Sequence, residues 1–168
     1  MRAMVERQVP DHGSGCPGEA DLRLLDQWNT LQSGFRRLTD ELLADVDRQA
    51  GIAPSEFQVL WYLLTSTTEQ SAPMNQLAAT LNFTTAGTTK VADRLSEAGL
   101  ITRQPSPTDR RVVLAALTEK GQEVAMAAAL ALAAALRERV VAPMGPDAFA
   151  ALADRMRELD PNPPRPCR

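Results

Sequence analysis

The stretch KVADRLSEAGLITRQPSPTDRRVVLAALTEKG, residues 90–121, decides the fold. Val91 and Leu95 lie four apart, on one face of a helix, and Gly99 marks that helix's end. Leu100-Ile101-Thr102-Arg103 reads as a first strand and Val112–Leu117 as its return, while Pro105 and Pro107 keep the tip between them out of the sheet. Thr118 then caps a further, alanine-rich helix of roughly residues 118–141. The tip itself carries Asp109-Arg110-Arg111, where two adjacent cations have nothing to bury against.

Upstream of this hairpin the helix begins near Thr84 or Thr85, and a short helix over residues 74–80 uses Leu77, Ala78 and then Leu81. Pro54 opens an earlier helix with Phe57, Leu60, Trp61 and Leu64 on one face, ended by the run TSTTEQSAP. Helix, short helix, turn, helix is the helix-turn-helix plan. Residues 21–50 form one long helix, capped by Asp21 and ended by Gly51. Its apolar residues Leu24, Trp28, Leu31, Phe35, Leu38 and Leu42 step by 4, 3, 4, 3, 4. At 1.5 Å per residue this helix is about 45 Å long, and such a seam packs along a partner helix or a second subunit. Pro146-Asp147 starts the last helix, with Phe149, Leu152, Met156 and Leu159 on one face. The expected order is α-α-α-α-β-β-α-α, a mainly α chain with a small β wing.

Composition narrows the function classes. The formal net charge is −3, so no overall field draws the chain to DNA or to an anionic membrane. Residues 84–120 nevertheless carry a net +2 and the remainder −5, a locally positive segment on an acidic body. The only histidine, His12, and the two cysteines, Cys16 and Cys167, fall in polar, proline-containing ends, without the clustering that metal sites or disulfide frameworks need. Neither paired carboxylates around a cleft nor a glycine-rich phosphate loop is present, so no enzyme and no cofactor is expected. The longest uncharged apolar run, VAMAAALALAAAL (124–136), is too short to span a bilayer, which points to a cytoplasmic protein.

A helix-turn-helix followed directly by a hairpin gives the tip arginines a purpose. The second helix of the pair enters a major groove and the hairpin reaches an adjacent minor groove. A narrow minor groove is strongly negative and attracts the planar, multidentate guanidinium. Asp109 turns back onto local backbone donors or a neighbouring arginine and fixes the tip. On the helix, Thr84, Thr85, Thr88, Thr89, Lys90 and Arg94 offer hydroxyls and cations to phosphates and base edges, with Thr84 or Thr85 also serving as the cap. Arg103 adds a cation at the base of the wing, and Gln76 offers a phosphate contact.

The segment resembles the signature of the MarR family of winged-helix transcription regulators. The resemblance rests on Asp93-Arg94-Leu95, Gly99-Leu100-Ile101, Asp109-Arg110-Arg111 and Leu117-Thr118 to Gly121, and extends through SEFQVLWYL (55–63) and QLAATLNFTTAGTTKVADRL (76–95). It implies a winged helix-turn-helix DNA-binding domain over 53–118, flanked by dimerisation helices at 21–50 and 119–160; the polar, glycine- and proline-rich composition of residues 1–20 and the proline-rich end at 161–168 read as a flexible leader and tail. It also implies a homodimer on a pseudo-palindromic duplex, more often a repressor. By the same resemblance Arg111 enters the minor groove and Arg110 meets a phosphate, an assignment that the sequence leaves exchangeable.

Many members of that family leave DNA when a small aromatic or phenolic effector binds. Trp28, Phe35, Phe57, Trp61 and Tyr62 are candidates to line such a pocket, with Arg36 or Arg37 to meet an acidic ligand; at helical spacing the same aromatics also serve as core. Some relatives sense oxidants through a cysteine near the first helix, where Cys16 lies, although GCPG supplies no neighbour to lower a thiol pKa. A reading of another class is a helical dimer that acts through protein partners, with a degenerate winged domain.

Overall fold

The computed structural model describes residues 17–67 and 69–159; His12, Cys16 and Cys167 lie outside them, as does the expected tail. The chain divides into two compact units, one ending at Leu38 and the other beginning at Thr39, so the boundary falls inside helix α1 (Glu19–Ala50).

In the first unit α1 begins at Glu19, two residues before the expected start. Asp21 is therefore not the cap. It sits within the first turn and its carboxylate accepts a hydrogen bond from the Gly18 backbone N–H at 3.2 Å, where a negative charge also suits the helix dipole. Leu24, Trp28, Leu31 and Phe35 are all exposed along this part of the helix.

The second unit begins with the rest of α1, which ends as expected at Gly51: φ there is +64°, and its N–H bonds to the Asp47 carbonyl at 2.8 Å. Helix α2 (Pro54–Ser66) starts with proline at its first position, and the Glu56 carboxylate accepts from the Ala53 N–H at 3.2 Å. It buries Phe57, Val59, Leu60 and Leu63. A strand absent from the expected order, β1 (Ser71–Pro73), follows. Three residues with no alternating pattern give no strand signal in sequence; β1 exists because its partner strand offers an open edge.

Helix α3 (Met74–Thr80) and helix α4 (Thr85–Glu97) form the helix-turn-helix. The turn between them needs Asn82 at φ +54°, a conformation that asparagine tolerates better than most side chains, and is closed by the Phe83 N–H on the Ala78 carbonyl at 2.9 Å. Thr84 caps α4, its hydroxyl accepting from the Gly87 N–H at 3.0 Å. At the other end Gly99 adopts φ +71°, the Leu100 N–H reaches the Leu95 carbonyl at 2.8 Å and the Gly99 N–H the Ser96 carbonyl at 3.0 Å. That bonding pair is a Schellman motif, and Leu95 and Leu100 on either side of it are buried in the core.

Strands β2 (Ile101–Pro105) and β3 (Val113–Leu117) pair antiparallel from Ile101 opposite Leu117 to Pro105 opposite Val113, and the sheet order is β1-β3-β2. Pro105 thus ends the strand rather than lying beyond it. It is tolerated because β2 is an edge strand, where a missing N–H leaves no partner unsatisfied. Helix α5 (Glu119–Leu136) was expected to run unbroken to residue 141, but a π-helical turn, Arg137–Val141, replaces its end. In that turn Arg139 bridges two carboxylates of α1, Glu41 at 3.1 Å and the buried Asp45 at 2.9 Å. The short α6 (Ala142–Met144) and α7 (Pro146–Leu159) complete the chain.

The core of this unit gathers Val46, Leu60, Leu63, Leu77, Leu95, Ile101 and Ala115 with Ala125 and Ala128 of α5. Thr118 and Gly121 fix how α5 leaves the wing. The Thr118 hydroxyl accepts from the Gly121 N–H at 2.9 Å and lies 2.9 and 3.0 Å from the Gly99 and Leu100 carbonyls. Gly121 lies so close to the Leu100 carbonyl that any Cβ there would overlap its oxygen. Because the obstruction is backbone, Gly121→Ala is expected to destabilise the fold by about 1–3 kcal/mol in urea unfolding, the usual cost of overpacking. Gly34→Ala, with open space around the added methyl, should be neutral or slightly stabilising.

Candidate nucleic-acid interface

Helices α3 and α4 and the outer end of the wing enclose a groove of about 430 Å³, lined by Asn75 and Ala78 of α3, Thr85 and Thr89 of α4, and Arg111 and Val113 of the wing, among others. Residues widely separated in sequence are brought into one concave surface there. Thr85 and Thr89 are exposed on α4, and the Thr89 hydroxyl donates to the Thr85 carbonyl at 3.0 Å, leaving its oxygen lone pairs available. Thr88 lies differently: it is 2% exposed, and its hydroxyl donates to the Thr84 carbonyl at 3.0 Å. Thr88 also lines the groove, but its neighbours Thr85 and Thr89 carry the exposed surface there, and Thr88 holds the first turn of the helix.

The wing tip is closed by its own polar groups. The Ser106 N–H bonds to the Val112 carbonyl at 2.8 Å, and the Val112 N–H to the Asp109 carbonyl at 2.9 Å. Asp109 accepts from the Arg111 N–H at 3.0 Å, from its Nε at 3.2 Å and from its terminal nitrogen at 3.4 Å. The carboxylate therefore holds the arginine by backbone and guanidinium together. Even so, 92% of the Arg111 side chain is exposed, so the fork orients the guanidinium without covering it. The same bonds, the backbone one foremost, hold the Asp109 carboxyl below its ordinary value of 3.8.

The other basic residues divide into paired and unpaired. Arg94 meets Glu56 of α2 at 2.6 Å, and Arg103 meets Asp93 of α4 at 2.7 Å and the Thr89 carbonyl at 3.2 Å. Lys120 donates to the Ala98 carbonyl at 2.8 Å, a cation on the C-terminal end of α4. Lys90 and Arg110 are exposed and carry no ion pair among the described residues. Composition counts these cations alike, whereas the fold leaves only some of them unengaged. Gln76 is exposed on α3 and donates to the Tyr62 hydroxyl at 2.9 Å. Asn75, one residue earlier on the groove, escaped the sequence reading; the polar pair Asn75-Gln76 at the start of α3 was the available signal.

The candidate effector residues are not gathered in this groove. Phe57 is buried and stacks on Trp61 with ring centroids 6.1 Å apart at 25°. Tyr62 is half-buried beside them on α2. Trp28, Phe35 and Arg36 belong to the first unit and are exposed. Among the described residues no group of histidine, cysteine or carboxylate side chains is placed to hold a metal ion.

Comparisons with known proteins agree with this fold. The model of the MarR family matches residues 50–112, from the end of α1 to the wing tip. The HTH-type transcriptional regulator YhbI of Bacillus subtilis is 38% identical over 103 residues, covering 57% of this chain and 67% of that protein. The HTH-type transcriptional repressor MdtR of the same organism is 29% identical over 102 residues, covering 61% and 63%. The chain thus spans about two thirds of the curated relatives it matches. Among solved structures, Sco3205, a MarR family transcriptional regulator from Streptomyces coelicolor in complex with DNA, superposes with a TM-score of 0.71 at 24% identity, over 88% of this chain and 90% of that one. At that identity the likeness speaks for the fold.

The lowered Asp109 carboxyl sets the pH window of the tip. A depressed value means the clasp is present above the ordinary carboxylate value and is lost as pH falls through the lower folded one. In an NMR titration the Asp109 carboxyl is expected to titrate below 3.8, with the Arg111 N–H following it. Between about pH 5 and 8 neither should move. A midpoint at or above the ordinary 3.8 would show that the clasp is not formed.

Proposed function

Since the chain belongs to the MarR family of HTH-type transcriptional regulators, proteins that are not enzymes, we propose that it acts as a homodimeric repressor on a pseudo-palindromic operator. The observation that carries this reading is the groove shared by α4 and the wing, with Thr85 and Thr89 on one wall and the held guanidinium of Arg111 on the other. Thr85, Thr89 and Lys90 face the major groove, Arg111 enters the minor groove, and Arg110 and Gln76 meet phosphates. Arg94 and Arg103, each tied to a carboxylate of another element, are left out of the contacts.

Repression draws support from the likeness to MdtR, and duplex binding from the likeness to Sco3205. Dimerisation is supported by the exposed Leu24, Trp28, Leu31 and Phe35, four large apolar side chains at coiled-coil spacing. Release by a small aromatic effector is the finer part of the proposal. Its support is the Phe57–Trp61 stack beside Tyr62, whose hydroxyl holds Gln76, so aromatic packing on α2 is one hydrogen bond from α3. Among the described residues no helix is long and apolar enough to cross a membrane, and a regulator of genes works where the DNA is, in the cytoplasm.

Fluorescence anisotropy against a duplex from immediately upstream of the gene, beside an unrelated duplex of equal length, tests the reading. Arg111→Ala is expected to weaken binding by about 1–3 kcal/mol. Arg110→Ala should lower the dependence of log affinity on log salt by about one contact. Failure to bind any duplex at low salt refutes DNA recognition and directs the search to protein partners. Sedimentation equilibrium is expected to show a dimer that Trp28→Asp dissociates.

A further inference from the structure

Arg103 stands on β2, opposite the fully buried Ala115 of β3, and reaches across to α4. One terminal nitrogen of its guanidinium lies 2.7 Å from the Asp93 carboxylate and 3.2 Å from the Thr89 carbonyl. Those two acceptors bracket the helical turn that carries Thr89 and Lys90. The side chain is 29% exposed, the least of the arginines that form ion pairs. We propose that Arg103, together with Asp93, is a positioning pair that sets the angle of the wing against the recognition helix, and that it does not contact DNA. The proposal deepens the reading of α4 and the wing as one DNA-binding surface and rests on it.

Leverage makes the angle matter. From Arg103 to the tip at Thr108 is five residues, at most about 16 Å since the strand ends at Pro105. A swing of about 10° at the base therefore moves the tip by roughly 2–3 Å, beyond the tolerance of a hydrogen bond. The Asp109 clasp fixes the tip locally but has no hold on this angle. Within the wing, among the described residues, Arg103 supplies the side-chain ion pair that ties it to α4. A lysine in its place would keep the charge, but its ammonium ends a flexible stem one bond short of the guanidinium's terminal nitrogen and lacks the planar group that orients that nitrogen.

The test compares wild type with Arg103→Lys, Arg103→Ala, Asp93→Asn and the double variant Asp93→Asn/Arg103→Ala. The first measurement uses no DNA: hydrogen exchange of the wing amides between residues 103 and 113. Positioning predicts several-fold faster exchange there in every variant, with α2 and α5 unchanged; unaltered wing exchange overturns the proposal whatever the protein binds. The second is anisotropy on the upstream duplex over a salt series. Positioning predicts that Asp93→Asn and Arg103→Lys each weaken binding by about 5- to 30-fold at an unchanged salt slope, and that the double variant is no worse than the worse single one. A phosphate contact predicts the reverse: a slope lowered by about one in Arg103→Ala, near-normal binding by Arg103→Lys, and equal or tighter binding when the Asp93 charge is removed. Loss of all duplex binding in wild type refutes the DNA-binding reading and, with it, this role for the pair.

Discussion

The close approach of Gly121 to the Leu100 carbonyl is the contact on which the arrangement of the second unit depends. Three elements meet there: the end of α4, the start of β2 and the first turn of α5. Thr118 gathers their unsatisfied groups, accepting from the Gly121 N–H while lying within bonding distance of the Gly99 and Leu100 carbonyls. Lys120 reaches back from the same turn to Ala98. A helix end, a strand start and a helix start would each need a separate partner for their free backbone groups. Here they satisfy one another, and the wing, pinned at its root, projects from a defined place.

That junction also explains why so much of the fold was legible. The Gly99 and Gly121 positions tolerate little else, one for its positive φ and the other for want of space, and Thr118 announces a cap. Backbone requirements of this kind write themselves into sequence as particular residue types at particular spacings. The long α1 seam, the helix-turn-helix and the hairpin were legible for the related reason that each has a hydrophobic period. What escaped lacked local determinants. The three residues of β1 form a strand because β3 has a vacant side, and the π turn at Arg137–Val141 arises within an alanine-rich run that promises uninterrupted α-helix.

At the candidate interface, sequence supplied the residues and tertiary structure sorted them. Six basic side chains between residues 84 and 120 look alike in a charge count. Arg94 and Arg103 turn out to face carboxylates of other elements, Lys120 caps a helix, and Arg111 is held by Asp109 yet stays open to solvent. The Asp109 partnership was foreseeable because its members are two residues apart. Glu56 and Arg94 are thirty-eight apart, and only the packing of α2 on α4 makes them neighbours. Thr88 illustrates the same limit: it lies one turn from Thr85 on the same side of α4, and only the core decides that it is covered while Thr85 and Thr89 stay exposed.

The π turn has a consequence for the geometry of the C-terminal arm. A π turn takes up about one residue more than an α turn, and each residue of helix rotates the chain by about 100°. Side chains beyond Val141 consequently point in directions that a straight continuation of α5 would have assigned to their neighbours one place along. Arg139, held by Glu41 and Asp45, sits inside that turn and fixes the point at which the phase changes. The arm after it is therefore sensitive to length as well as composition. Removing a single residue between positions 137 and 141 would change the phase of the short α6 and so, through the break at Gly145, turn α7 to a new heading.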